Sequence, residues 1–424
     1  MLRLSSLSLL ILCTQVFADF SYFTYSDNWS FYSPEHPNQY PVIPTGVLGA
    51  TAFAVINDDG NLDVRYPIAP ATVSWAQGSN PAASYALAIG GWNNSNLDPT
   101  GAQNMGLYNV LTNNQNSYID PNTGLTGPQR LMINNLYVAT LQKGASWSDG
   151  DLPYPSGGDP QLYPQLLPKG LGYSCLIMDF EDYANVPGRV QNPNMFNLVM
   201  KTIVEKLPHV NVQMAIPGFM ENQGYMDLDD LMANTHINFQ LMTYDYAAGL
   251  SPVVVTSNAS IDVTQNALAA YAQKYPSQMN RFLVGIPCYG RGFVIDRNLS
   301  SATIEQGVKN GTLTGSYLDN NGDSIVSADD ILKEIGSWDS PTNGWTLIPV
   351  LNGNYNDYFY YQSSTGIIIS AFPNGSTVSS VADFAKMIKA FSKDHGDFAG
   401  FMDWEAQQDF QGTIIQSLKS YMSE

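Results

Sequence analysis

Short apolar runs alternate along this chain with longer segments in which apolar residues recur at helical spacing. Runs at 20–24, 46–57, 85–89, 171–182, 211–217, 239–246, 282–287 and 398–404 read as strands. The second closes on the turn Asp58-Asp59-Gly60. Segments 132–141, 195–207, 261–275 and 381–393 read as amphipathic helices. Strand and helix in alternation predict a parallel sheet, because parallel neighbours need a crossover, usually helical. Eight such strands favour a (β/α)8 TIM barrel, an α/β fold whose functional groups gather at the strand C-termini. An open doubly wound sheet is the second arrangement, but no Gly-rich nucleotide loop follows the first strand. The stretch 294–364 breaks the rhythm and reads as an insertion between strands 7 and 8. This divides the chain into a leader at 1–18, barrel strands 1–7 at 19–293, the insertion, and the last strand and helix at 365–424. The Gln/Asn-rich patches 103–116 and 352–356 read as loops.

The segment 171–182 carries the chemistry. An apolar run from Cys175 to Met178 ends in Asp179 and Glu181. Residues two apart on a strand share a face, so both carboxylates project together. Two neighbouring carboxylates in a partly apolar site do not both ionise, and the one that keeps its proton suits a general acid.

Composition narrows the partners. Lys+Arg number 18 against 37 Asp+Glu, a net charge of −19, with only 13% charged residues. A chain this acidic, without a basic patch, argues against nucleic acid and anionic membranes as partners and fits a neutral substrate or an acidic or saline setting. The start is Met1-Leu2-Arg3, an apolar run over 7–16, then Phe17-Ala18, the pattern of a secretory leader cleaved after Ala18. No later run is long enough to span a bilayer. The expected location is extracellular, with no retention signal at the end of the chain, and the expected state is a monomer. Cys175 and Cys288 then remain and read as two buried thiols rather than a bridge. Sequons stand at Asn28, Asn93, Asn258, Asn298, Asn310 and Asn374, possible glycan acceptors in a secreted glycoprotein. His209, His236 and His395 have neither metal spacing nor a nucleophile partner.

Four further motifs flank the acid pair in order. They are Ala88-Ile-Gly-Gly-Trp92, Gln240-Leu-Met-Thr-Tyr-Asp245-Tyr246, Gly285-Ile-Pro-Cys-Tyr-Gly-Arg291-Gly-Phe293 and Gly400-Phe-Met-Asp-Trp404. Together they resemble the family 18 glycoside hydrolases, the chitinases and their relatives, over nearly the whole chain after the leader. The resemblance implies a TIM barrel with a small α+β insertion, acting on chitin or chitooligosaccharides without a cofactor. It makes Glu181 the general acid and gives the nucleophile's part to the substrate's own N-acetyl oxygen. Asp179 would orient that acetamide and Tyr244 would donate a hydrogen bond to it. Asp245, Met242, Tyr289, Arg291, Trp404 and Trp92 would shape the sugar cleft.

The family's signature strand reads Asp-x-x-Asp-x-Asp-x-Glu, and here those positions are Ser174, Ile177, Asp179 and Glu181. Ile177 cannot hold or pass a proton, and Ala88 stands where the family often has Ser. The resemblance therefore admits three readings: a hydrolase of β-1,4-linked N-acetylglucosamine polymers with altered acid chemistry, a chitin-binding lectin-like protein, and a hydrolase of N-glycans. Within the insertion, Asp319, Asn321, Asp323 and Asp330 fall at the spacing of a calcium loop. Ser324 replaces the usual Gly there, so a calcium loop and a plain polar turn both fit.

Overall fold

Parallel strands buried on both faces need a closed or covered sheet, and this chain closes it. The computed structural model describes residues 21–27, 41–63, 85–91, 105–113, 115–156, 166–181, 192–220, 225–319 and 324–424. Eight strands form the barrel: β1 (Ser21–Asp27), β2 (Leu48–Ile56), β3 (Tyr85–Gly90), β4 (Cys175–Asp179), β5 (Asn211–Pro217), β6 (Asn238–Met242), β7 (Phe282–Pro287) and β8 (Gly400–Trp404). Each pairs in parallel with its neighbours, and β1 pairs with both β8 and β2. The expected TIM barrel is present, in the order predicted.

Alternation sorts each strand between two cores. On β4, Cys175 and Ile177 face the barrel interior with Phe23, Tyr25, Ala50, Ala52, Ala86, Ala88 and Met402. Leu176, Met178 and the following Phe180 face outward onto helices that present Phe196, Val199 and Ile203. The interior is narrow, and its alanines leave room for the larger residues. Ile177 sits in register with Ala88 on one side and Gln213 on the other. Two of the three departures from that pattern, Ile177 and Ala88, are thus register neighbours, both fully buried.

Local signals start the outer helices. Thr126 and Gln129 make a reciprocal capping box before Gly127–Thr140, satisfying two orphan N–H groups. Asn192 caps Pro193–Lys206. Gly106–Thr112 is a helix although its Asn/Gln-rich surroundings read as loop. Leu107, Tyr108, Val110 and Leu111 are buried there, and that burial outweighs the local composition. The segment 352–356 is a hairpin turn joining strands Trp345–Asn352 and Tyr355–Gln362. The Asp262 carboxylate accepts from the N–H groups of Asn354 and Tyr355, tying that turn to the barrel helix Ile261–Lys274.

A second, antiparallel sheet follows β7 directly. It begins with Tyr289–Val294 and ends with Ile367–Ala371, so it takes in residues on both sides of 294–364. Cys175 and Cys288 are both buried and free. Asn298 and Asn310 are exposed, whereas Asn258 is buried. Asn374 is half-buried and donates to the Thr413 carbonyl and the Ser417 hydroxyl. Asn28 and Asn93 lie outside the described residues.

Asp403 on β8 is fully buried, with the Thr24 hydroxyl and the Cys288 thiol as the hydrogen-bonding groups beside its carboxyl. Burial pushes its pKa up from 3.8 to about 8. The unfolded chain releases this proton at the ordinary value while the folded chain keeps it. Stability therefore falls as pH rises from about 4 towards about 8. Asp403→Asn is expected to reduce that fall, read as urea midpoints at about pH 5 and about pH 8. Equal losses in variant and wild type would refute it.

Candidate active site

The C-terminal ends of the strands bring the acid pair into one place. Asp179 is the last residue of β4, faces inward and is 4% exposed. Burial moves its pKa from 3.8 to about 7, and its Oδ1 has no hydrogen-bond partner. Glu181 lies two residues on, half-buried at the mouth. Tyr25, at an inward position of β1, lies within electrostatic reach of both and donates its hydroxyl to Gln240 Oε1. Its phenol is pushed well above the usual range by burial first, then by the charges of Asp179, Cys175 and Glu181. Gly90 makes the close packing at this end possible. Its φ is +110°, and a Cβ there would lie 2.4 Å from the Asp179 carbonyl oxygen.

The far wall comes from β6 and the strand after β7. β6 stops at Met242, earlier than its apolar run predicted, because the chain turns: Asp245 has φ +65°. A short polar side chain tolerates that conformation, which the apolar pattern does not register. The turn carries Tyr244 inward, where its hydroxyl lies 3.8 Å from Met402 Sδ and its ring meets Tyr289 edge-on at 6.2 Å. Asp245 Oδ1 accepts from the Tyr289 hydroxyl, from Arg291 Nη2 at 2.6 Å and from Arg291 Nε at 3.1 Å. Arg291 is 4% exposed and Asp245 40%, so the carboxylate faces the cleft and the guanidinium backs it. Trp404, at the end of β8, forms the floor. It stacks on Phe53 at 5.5 Å and 20°, and meets Tyr25 at 5.4 Å.

The sequence-predicted residues Asp179, Glu181, Met242, Tyr244, Asp245, Tyr289, Arg291 and Trp404 all lie at or just beyond strand C-termini on one end of the barrel. Trp92 lies outside the described residues, as do Asn321 and Asp323 of the acidic loop. In that loop, Asp319 accepts from the Ser324 N–H at 2.8 Å, and Asp330 accepts from the Ser327 hydroxyl at 2.7 Å at the start of helix Ala328–Ile335. These bonds serve the turn and the helix cap. Sequence reasoning gave no role in the site to Tyr25, Phe53, Gln213, Gln240 or Asn258. Asn258 donates to the Tyr289 carbonyl at 3.4 Å and receives nothing from the pattern that would mark it. The amides Gln213 and Gln240 did leave a signal: uncharged polar residues at inward strand positions.

No protein-family model and no curated protein matches the sequence. Solved structures match it over nearly its whole length. A chitinase from Rhizomucor miehei superposes with TM-score 0.60 at 17% identity, over 95% of this chain and 99% of that one. A class V chitinase from Nicotiana tobaccum gives 0.62 at 15%, over 96% and 99%. The chain has the fold of the chitinases. YKL-39, crystallised in the presence of chitooligosaccharides, gives 0.63 at 12% identity, over 96% of this chain and all of that one. The motifs and the fold thus point to the same relatives.

Removing one partner of the Asp245–Arg291 pair leaves a buried guanidinium without its carboxylate. Asp245→Ala is expected to cost about 2–3 kcal/mol of stability, with Asp245→Asn costing less because an acceptor remains. Denaturant melts of the two variants check this. An Asp245→Ala melt equal to wild type would mean that the pair does not hold the wall.

Proposed function

We propose that the protein is a secreted glycoside hydrolase that cleaves β-1,4-linked N-acetylglucosamine polymers with retention of configuration. The observation that carries this reading is the convergence of Asp179 and Glu181 above an aromatic floor, at the catalytic end of the barrel. Glu181, at the open mouth, gives its proton to the glycosidic oxygen as the bond from that oxygen to the anomeric carbon breaks. The substrate's acetamide oxygen forms the new bond to that carbon, giving an oxazolinium ion. The Glu181 carboxylate then takes a proton from water, whose oxygen attacks the anomeric carbon and reopens the ring. One water is consumed and Glu181 ends protonated, as it began. Asp179 and Tyr244 hold the acetamide, Trp404 supports the sugar face, and Asp245 with Tyr289 and Arg291 forms the wall. The neutral ligand suits a strongly acidic chain.

A second reading, a chitin-binding protein with little turnover, is favoured by one feature. Ile177 and Ala88 make the layer beneath Asp179 apolar, so no carboxylate below can exchange a proton with it.

Hydrolysis of a chitooligosaccharide series separates these readings, with an N-glycan panel beside it. Glu181→Gln is expected to lower turnover by about 10²–10⁴-fold while oligosaccharide binding persists. Turnover that survives this change would remove Glu181 as the acid. Ile177→Asp is expected to raise the rate several-fold if the apolar layer limits proton exchange. An unchanged or lower rate would sink that account of Ile177. Binding with no release by the wild type would select the lectin-like reading.

A further inference from the structure

A buried hydroxyl needs an acceptor, and the one that Tyr244 meets is a weak one. Its hydroxyl donates to Met402 Sδ at 3.8 Å, reaching across the barrel interior from the turn after β6 to β8. Met402 is 1% exposed and Tyr244 9%, and both belong to the interior core. Among the described residues the sulfur is the partner of this hydroxyl. The neighbouring Tyr289 hydroxyl is committed to Asp245. A glycine makes the contact possible. Gly285 on β7 lies in register with Met402, and a Cβ there would come within 2.8 Å of both Met402 Cε and Tyr244 Cε1. The Thr243 hydroxyl donates to the Gly285 carbonyl at 2.6 Å and fixes the residue before Tyr244. The Tyr244 ring is thus held firmly, edge-on to Tyr289, while its hydroxyl is held loosely.

We propose that Met402 is a positioning residue: its thioether parks the Tyr244 hydroxyl in the empty site and releases that hydrogen bond to the ligand's acetamide oxygen when a sugar binds. The proposal rests on the reading of Tyr244 as an acetamide donor and adds what holds that donor beforehand. No proton changes owner; the hydroxyl exchanges one acceptor for another. A thioether is a weak acceptor and an amide carbonyl a strong one, so the exchange favours the ligand. A carboxylate or amide as the resting acceptor would have to be given up on binding, which would offset most of the gain. With no resting acceptor, the buried hydroxyl would stand unpaired in the free protein. Sulfur lies between these cases. It satisfies the hydroxyl at rest and competes little for it afterwards.

The test uses the full chain labelled with ¹³C at the methionine methyls, with the Met402 signal assigned through Met402→Leu. Tyr244→Phe removes the hydroxyl and keeps the ring, so the Met402 methyl is expected to shift in the ligand-free variant. The β-1,4-linked N-acetylglucosamine tetramer is then added in a Glu181→Gln background, which blocks turnover. It is expected to move the Met402 methyl towards its Tyr244→Phe position, and to move it less when Tyr244→Phe is already present. Affinities give the sign. Met402→Leu leaves the hydroxyl unpaired until the ligand arrives and is expected to tighten tetramer binding by about threefold. Met402→Gln offers an amide oxygen at rest and is expected to weaken it by about tenfold, one hydrogen bond's worth. Tyr244→Phe is expected to abolish this order, which a loss of packing alone would leave in place. Where Met402→Gln does not fold, Met402→Leu carries the sign alone. A methyl unmoved by Tyr244→Phe would overturn the resting contact. Equal affinities in the Met402 variants, or the same order without the hydroxyl, would overturn the release to the ligand. A chain that shows the ligand-free shift but binds no tetramer keeps the contact and loses the acetamide reading of Tyr244.

Discussion

The pairing of β1 with both β8 and β2 leaves the parallel sheet without an edge, and the rest of the molecule depends on that closure. Closure forces half of each strand's side chains into a narrow interior and turns all eight C-terminal ends to one side. It carries Tyr25 from the first strand and Trp404 from the last to the same carboxylates, which lie near the middle of the chain. Without closure, the inward face that carries Asp179 would open to water, and the desolvation that raises its pKa would be lost.

Inside the barrel, the dielectric environment decides the chemistry. Alanines at 50, 52, 86 and 88 with Ile177 make the layer under the acids largely apolar, and among the described residues the amides of Gln213 and Gln240 and the Tyr25 hydroxyl interrupt it. Desolvation favours the protonated form of a carboxylate, and it raises the pKa of Asp179. The same physics acts on Asp403, which points outward from β8 into the packed layer. One lies at the mouth of the barrel and the other behind it, so a raised pKa alone does not mark function.

The second sheet acts as a wall. Its first strand supplies Tyr289 and Arg291, both bonded to Asp245. Asn258 and Ser370 join the loop before helix Ile261–Lys274 to the same sheet. The insertion is therefore bound to the barrel on the side where the cleft opens, and the buried guanidinium makes that attachment costly to break.

Strand identity, strand order and the place of Asp179 and Glu181 were legible from periodicity alone, because a buried strand must be continuously apolar and must alternate across its two faces. The boundaries were less so. β6 ends at Met242 because Asp245 adopts positive φ, and the helix Gly106–Thr112 forms because the fold buries its apolar face despite polar surroundings. The contacts across the barrel interior were not legible at all. Tyr25, Gln213 and Gln240 stand far apart in sequence and meet only across the closed barrel. Linear pattern records which face a residue occupies. Which residues meet on that face was decided by barrel closure and the exclusion of water from its interior.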